Sequence, residues 1–257
     1  GDFIFAGSTR KDPFMDFSDV YLLRTDSQGN KIADWPKTYA AANYNSALSV
    51  QQTRDEGFIV AGYAAFEDGE EGENQDIYLI KTYAQGDTVW TNTYGGAGNE
   101  GANSVQQTKD EGFIVAGYTE SYGAGYGDVY LIKIKAGFKG DTAWTKTYGG
   151  TNNDRANSVQ QTKNDDGFIV AGFTNSFGGG SSDVYLIKAS DNQGVKIWDK
   201  TYGGAEEDVA YSVQQTEEDG GFIITGYTQS FGSGSSDILL IKTDENGNTE
   251  DWIHTNK

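Results

Sequence analysis

The segment GFIVAGY, residues 57–63, decides the fold because it recurs along the chain. It returns unchanged at 112–118, as GFIVAGF at 167–173 and as GFIITGY at 221–227, and DFIFAGS at 2–8 is an earlier copy. Successive phenylalanines of these copies are 55, 55, 55 and 54 residues apart. A fixed period of this length indicates a repeat protein, in which each repeat is one supersecondary unit.

Three further segments keep the same period. A segment of the type DVYLIK occurs at 19–24, 76–81, 128–133, 183–188 and 237–242. A tryptophan followed by a short polar and aromatic run occurs at Trp35, Trp90, Trp144, Trp198 and Trp252. These tryptophans are expected to pack against the neighbouring repeat, since core packing is the usual role of so large a side chain. The segment SVQQT occurs at 49–53, 104–108, 158–162 and 212–216. SVQQT therefore has four copies where the others have five, and the missing copy is the one that would precede Phe3.

Each segment has the features of a β-strand. The segments are short, rich in β-branched and aromatic residues, and bounded by Gly, Asp and Asn. GFIVAGY is apolar on both alternating faces, so both faces are expected to be buried. The turns DEG, DEG, DDG and EDGG predict tight hairpins between SVQQT and the following strand. Each repeat is thus predicted to be a four-stranded antiparallel meander with strands A (SVQQT), B (GFIVAGY), C (DVYLIK) and D (the tryptophan strand).

The predicted fold is all-β. Four-stranded repeats of this length are typical of β-propeller blades, and a β-solenoid is the alternative. We predict one five-bladed β-propeller domain over residues 1–257, built from 54–55-residue repeats, with strand A nearest the axis. The repeat units are about 1–46, 47–101, 102–155, 156–209 and 210–257. The first blade is incomplete because it lacks strand A. A longer precursor, or strand donation from a neighbouring chain, would complete it.

Units such as TYGGAEEDVAYSVQQTEEDGGFIITGYTQS, residues 201–230, resemble the β-propeller repeat of bacterial and archaeal secreted or cell-surface proteins. That pattern has a Gly-Gly turn, an Asp before the inner strand, a hydrophobic strand and then an aromatic-V-x-G-x-T strand. The resemblance covers nearly the whole chain and implies a secreted or cell-surface location. It implies no reaction. The Gln-Gln pair in strand A departs from the pattern.

The charge of the chain limits its partners. The formal net charge is −19, which argues against nucleic acid, since nucleic-acid binding relies on Lys and Arg. No run of about 18 apolar residues is present, so membrane insertion is not expected. The chain contains no cysteine and therefore no disulfide or thiolate site.

The long D-to-A and B-to-C connections meet at one end of a meander and form the predicted ligand face. In the first two repeats the B-to-C connections are STRKDPFMDFS, 8–18, and AAFEDGEEGENQ, 64–75. Aromatic and carboxylate side chains in such loops suit a protein or carbohydrate partner. The simpler interpretation of these aromatics is that they are hydrophobic lids packed over the blade ends, since repetition alone selects for packing. The candidate ligand-binding residues are Tyr122, Phe177, Phe231, Glu100, Asp154 and Asp208.

The sequence predicts no cofactor. Glu67, Asp68, Glu70, Glu71 and Glu73 crowd one loop, which leaves Ca²⁺ open as a ligand, although a solvated acidic loop is the simpler interpretation. The aspartates that precede strand C are expected to bond to the backbone of their own turns.

No catalytic residue is predicted. The one histidine, His254, stands near the end of the last strand, and G-x-S-x-G, H-E-x-x-H and P-loop motifs are absent from the sequence. The favoured function is a non-catalytic binding or interaction module that is secreted or at the cell surface. A self-associating structural component of a surface layer or filament is the alternative. A carboxylate-based glycoside hydrolase is the more distant one.

Overall fold

The structure is a computed structural model that describes residues 1–12, 15–67 and 73–249. These ranges contain eighteen β-strands and no helix, and hence no helix that could cross a membrane. The strands are β1 Phe3–Asp12, β2 Met15–Thr25, β3 Lys37–Tyr39, β4 Tyr44–Gln52, β5 Phe58–Glu67, β6 Glu73–Thr82, β7 Thr88–Tyr94, β8 Glu100–Gln107 and β9 Phe113–Thr119. They continue as β10 Asp128–Ile134, β11 Thr142–Tyr148, β12 Asp154–Gln161, β13 Phe168–Thr174, β14 Asp183–Ala189, β15 Lys196–Tyr202, β16 Asp208–Gln215, β17 Phe222–Thr228 and β18 Asp237–Thr243.

The strands form repeated antiparallel sheets in the predicted order A, B, C, D. Strands β8 to β11 form one four-stranded sheet, and β12 to β15 form another. Strands β4 to β7 are connected in the same way, and a single parallel bridge between Ser18 and Tyr44 joins them to β1, β2 and β3. The first repeat therefore has three strands, B, C and D, as predicted. The last repeat has β16 to β18, and its strand D, around Trp252, lies outside the described residues.

The chain folds into two compact units. Unit 1 comprises residues 1–115 with 134–141, and unit 2 comprises residues 116–133 with 142–257. The boundary between them falls in the third repeat, where the chain passes from one unit to the other within β9, at the end of β10 and just before β11.

Within both units, each repeat packs onto the next through its tryptophan. Trp35 of the first repeat meets Phe58 of the second at a ring-centroid distance of 5.8 Å, nearly perpendicular. The same contact recurs between Trp90 and Phe113, between Trp144 and Phe168, and between Trp198 and Phe222. The predicted packing role is thus confirmed for these four tryptophans. Phe3, the phenylalanine of the first repeat, is 53 % exposed.

The A strands of neighbouring repeats are joined by their Ser and Gln side chains. In unit 1, Ser49 Oγ accepts a hydrogen bond from the backbone N–H of Val105, and Gln51 Oε1 accepts one from that of Gln107, at 3.2 and 2.6 Å. In unit 2, Ser158 and Gln160 accept at the same distances from Val213 and Gln215. These bonds satisfy N–H groups on the edges of β8 and β16 that have no ladder partner.

The A-to-B hairpin turns are fixed by a lysine from strand C. Lys81 Nζ contacts the Asp55 carboxylate at 2.9 Å, and Lys188 contacts Asp165 at 2.7 Å. Both lysines are buried, so these ion pairs hold the turn against the end of strand C.

The B-to-C connections of the first two repeats differ from the prediction. Segments 8–18 and 64–75, predicted as loops, mostly continue the ladders. Arg10 pairs with Ser18, and Phe66 pairs with Asn74. A polar composition with Pro13 in the first segment and Gly69 and Gly72 in the second predicts loops, but a ladder already in register extends at little further cost in chain entropy.

Candidate functional site

The predicted carboxylates sit at the start of the A strands and are fully buried. In unit 2, Asp154 Oδ2 accepts hydrogen bonds from Gly150 N at 2.8 Å and from Ser176 Oγ at 2.6 Å. Asp208 makes the same two bonds one repeat later, with Gly204 N and Ser230 Oγ. In unit 1, Glu100 Oε2 accepts from Gly96 N at 2.7 Å. These three side chains therefore tie the D-to-A turn, and in unit 2 also the B-to-C loop, to the sheet.

In unit 2 a second buried carboxylate lies beside each of Asp154 and Asp208. A Cβ on Gly149 would lie 2.1 Å from Asp128 Oδ1 and 2.6 Å from Asp154 Oδ2, so only glycine leaves room for the two carboxylates. Burial raises the pKa of Asp128, and the charge of Asp154 raises it further. Asp183 and Asp208 repeat the arrangement around Gly203. Asp128 Oδ2 also accepts from Ala124 N at 2.8 Å, inside its own B-to-C loop, as predicted for the aspartates before strand C.

The predicted loop aromatics are half exposed and half packed. Phe177 is 43 % exposed, its ring centroid lies 5.8 Å from that of buried Tyr185, and its Cζ lies against Gly150. Tyr122 packs on Tyr130 at 5.7 Å. The Cζ of Phe231 lies against Gly204 in the same way as that of Phe177 against Gly150. These rings cover the ends of their sheets, and part of each remains open to solvent.

The structure adds a site position that sequence reasoning missed. The register of β16 shifts between Ala210 and Ser212, so Tyr211 is the extra residue of a β-bulge. Its side chain is 59 % exposed and lies against Tyr227, with ring centroids 5.7 Å apart. Burial raises the pKa of Tyr227, and its hydrogen bond to the Glu207 carboxylate raises it further.

The same bulge recurs in other repeats with a different residue. Leu48 occupies it in β4 and Asn157 occupies it in β12. The flanking sequence is constant, Ala before and S-V-Q-Q after, so the bulge is the variable position of strand A. That variation is the sequence signal that could have identified the position.

Other polar and aromatic groups of unit 2 lie beside the bulges of β12 and β16. The guanidinium carbon of Arg155 lies 4.0 Å from the centroid of the Tyr118 ring, a cation–π contact. Asn157 Nδ2 donates to the carbonyl of Ala210 at 2.8 Å and so connects the two bulges. We call this set the bulge surface: Tyr118, Arg155, Asn157, Tyr211 and Tyr227.

Cavities lie at the opposite, A-to-B end of the strands. In unit 2 a cavity of about 510 Å³ is lined by Gln160, Lys163, Gln215, Asp219 and Lys242. In unit 1 a cavity of about 270 Å³ lies between the start of β1 and the end of β4. This end was predicted to carry only tight turns.

Among residues 1–12, 15–67 and 73–249, no group of three or more His, Cys, Asp or Glu side chains is placed to hold a metal ion. Asp68, Glu70, Glu71 and His254 lie outside the described residues, as do the side chains of Glu67 and Glu73. The Ca²⁺ prediction for the acidic loop therefore stays a prediction.

No protein-family model and no curated protein sequence matches the chain. The chain is similar to the crystal structure of a protein of unknown function from Bacteroides caccae, with a TM-score of 0.54 at 10 % identity over 93 % of this chain and 78 % of that one. It also aligns with a "putative exo-beta-1,3-galactanase" from Bifidobacterium bifidum s17, with a TM-score of 0.46 at 11 % identity over 99 % of this chain and 87 % of that one. The first similarity is one of fold alone.

Proposed function

We propose that this chain is a non-catalytic binding module for extracellular carbohydrate, and that the bulge surface is its contact site. The exposed ring of Tyr211, held against Tyr227, carries this proposal. An aromatic ring that is rigid on one face and open on the other is suited to stack on the apolar face of a sugar ring.

Polar groups elsewhere on the bulge surface would supply directional contacts. Arg155 offers N–H donors and is held in place by Tyr118. Tyr227 and Glu207 form a hydrogen-bonded pair beside the ring. A few fixed polar groups around an aromatic face are typical of sites that orient a sugar by its hydroxyl groups.

The five-bladed β-propeller belongs to this proposal, with each repeat as one blade and the A strands innermost. It is supported by the Ser and Gln side chains that join neighbouring A strands, and by the tryptophan contact from each repeat to the next. The secreted or cell-surface location is also part of the proposal, and it rests on the family resemblance.

The test is binding to a panel of bacterial and host polysaccharides, by glycan array and then by isothermal calorimetry. We expect Tyr211→Ala to weaken binding about tenfold, because one stacking contact of about 1.4 kcal/mol is lost. Tyr83→Ala is the matched control, since Tyr83 is 51 % exposed but lies in a C-to-D turn. Thermal melting should show that both variants remain folded.

Three results would overturn the proposal. The first is equal binding by Tyr211→Ala and the wild type. The second is release of sugar from any polysaccharide of the panel, which would make the chain a hydrolase. The third is binding to protein ligands with none to glycans.

A further inference from the structure

Two tryptophans of unit 2 differ in what their indole N–H groups contact. Trp144 Nε1 donates to the carbonyl of Asp191, in the C-to-D turn of the next repeat, at 3.1 Å. Trp198 has the same place one repeat later, and it packs on Phe222 as Trp144 packs on Phe168. In the part of the chain that the structure describes, the indole N–H of Trp198 has no hydrogen-bond partner.

The length of the C-to-D turn accounts for this difference. In the fourth repeat the turn is closed by a backbone hydrogen bond from the first to the last residue of 190–195, and in the fifth repeat by the same bond across 244–248. The fifth turn is therefore one residue shorter. The longer turn brings the carbonyl of Asp191 to Trp144, whereas no carbonyl of the shorter turn accepts from Trp198.

A cavity of about 320 Å³ lies beside Trp198, between the fourth and fifth repeats of unit 2. Trp198 and Ile197 form part of its apolar lining, and Ile197 is 55 % exposed. The exposed side chains of Asn164, Glu245 and Asn246 line it as well. Its volume is at the lower end of the range of small-molecule sites, so it is large enough for one small ligand.

The charges that line this cavity limit the class of ligand. Lys188 and Asp165 line it but pair with each other at 2.7 Å. Among the lining residues, Glu245 alone carries a charge that no described ion pair balances. An anion would be repelled by Glu245 in a chain of net charge −19. An ammonium or guanidinium group has no acceptor for the indole N–H. The cavity therefore suits a neutral ligand that both donates and accepts hydrogen bonds.

We propose that this cavity binds one unit of a neutral sugar, and that it is a second sugar site, distinct from the bulge surface. A sugar hydroxyl both donates and accepts, so it satisfies the indole N–H of Trp198 and the carboxylate of Glu245 in one ligand. The amides of Asn164 and Asn246 contact further hydroxyl groups. The ligand class rests on the proposed function, but the site lies at the opposite end of the strands.

The test is titration of the whole protein with glucose, galactose, mannose and N-acetylglucosamine, up to about 100 mM, followed by ¹H–¹⁵N NMR. Each of the five tryptophans has one indole N–H signal, and Trp198→Phe and Trp144→Phe assign two of them. We expect the Trp198 signal to shift and to saturate with at least one sugar. The Trp144 signal is the internal control and should not move, because its N–H is already bonded to Asp191.

Two variants test the parts of the site. Glu245→Ala removes the charged acceptor and should raise the Kd by about tenfold. Glu218→Ala is the matched control, because Glu218 is an exposed turn carboxylate that does not line this cavity, and it should leave the Kd unchanged. Replacing residues 244–248 by the sequence of residues 190–195 lengthens the turn. It should supply Trp198 with a carbonyl and abolish the sugar-dependent shift.

A Trp198 signal that stays in place with every sugar, or that shifts no more than the Trp144 signal, would overturn the proposal. A shift that disappears in Tyr211→Ala would also overturn it, because the sugar would then be bound at the bulge surface. Failure of the proposed function gives a different result. If Tyr211→Ala binds glycans as the wild type does while the Trp198 shift persists, the bulge surface is not the contact site and the cavity is.

Discussion

The backbone N–H of Gln107 donates to the side-chain oxygen of Gln51 over 2.6 Å, and Gln215 donates to Gln160 at the same distance. A second bond links the same two repeats in the opposite direction. Gln107 Oε1 accepts from Arg54 N, in the repeat of Gln51, and Gln215 Oε1 accepts from Lys163 N, in the repeat of Gln160. The Gln-Gln sequence thus joins A strands that share no ladder. It replaces backbone pairing by side-chain pairing between neighbouring repeats.

The first prediction concerns this glutamine contact. Gln160→Ala leaves the N–H of Gln215, a buried residue, without its acceptor, and we expect a loss of about 1–2 kcal/mol of unfolding free energy in urea. Gln214→Ala is the control, because Gln214 has the same place in the next repeat and is exposed. Equal losses at the two positions would contradict the proposed role of the contact.

The second prediction concerns the glycine between two carboxylates. In Gly149→Ala the new Cβ would clash with the carboxylates of Asp128 and Asp154, which are both buried. We therefore expect the free energy of unfolding to fall by at least about 2 kcal/mol. Gly179→Ala is the control, because its Cβ would lie 3.7 Å from Gly204 O, an ordinary contact distance. Its free energy of unfolding should stay within about 0.5 kcal/mol of the wild-type value. Urea denaturation measures both, and a well-tolerated Gly149→Ala would count against this packing.

The third prediction is a pH dependence of opposite sign at two aspartates. Burial raises the pKa of Asp183, and the charge of Asp208 adds to the rise. Burial alone would also raise the pKa of Asp165, but hydrogen bonds from Lys188 and Thr162 outweigh it and lower the pKa. The ionised carboxylate therefore destabilises the fold at Asp183 and stabilises it at Asp165.

As pH rises from 3.8 through the raised pKa, the wild type loses stability at Asp183, because the unfolded chain ionises there first. The free energy of unfolding of Asp183→Asn, relative to that of the wild type, should therefore be higher at pH 7 than at pH 4. Asp165→Asn should be destabilised at pH 7, and the difference should shrink as pH falls below 3.8. Denaturation curves from pH 3 to 7 measure both, and parallel profiles would refute the assignment.

The fourth prediction tests the burial of the B strands. Val170 is 1 % exposed and Val195 is 56 % exposed. Val170→Ala should cost about 1–3 kcal/mol through lost burial and a residual cavity, whereas Val195→Ala should cost less than about 0.5 kcal/mol. The same chemical change at both positions isolates the effect of burial, and a similar cost at both would mean that strand B is not in the core.

The sequence predicted strands, their order and the tryptophan contacts because these depend on period, residue type and size. It did not predict the bulge surface. Leu48, Asn157 and Tyr211 share no chemistry, and a bulge is recognised only from the register against strand B. The buried state of Asp154 also escaped prediction, because an aspartate in a Gly- and Asn-rich loop has the composition of an exposed residue. Its burial depends on Ser176, which is 22 residues away.

The bulge residues have one consequence for how new specificities can arise on this fold. A residue that stands outside the ladder makes no pairing contact, so its replacement leaves the register of both strands unchanged. Leucine, asparagine and tyrosine already occupy this position within one chain. The repeats that contain β4, β12 and β16 therefore each offer one interchangeable contact residue on a constant frame. Randomising these three positions alone would give a library of binding surfaces that share one scaffold.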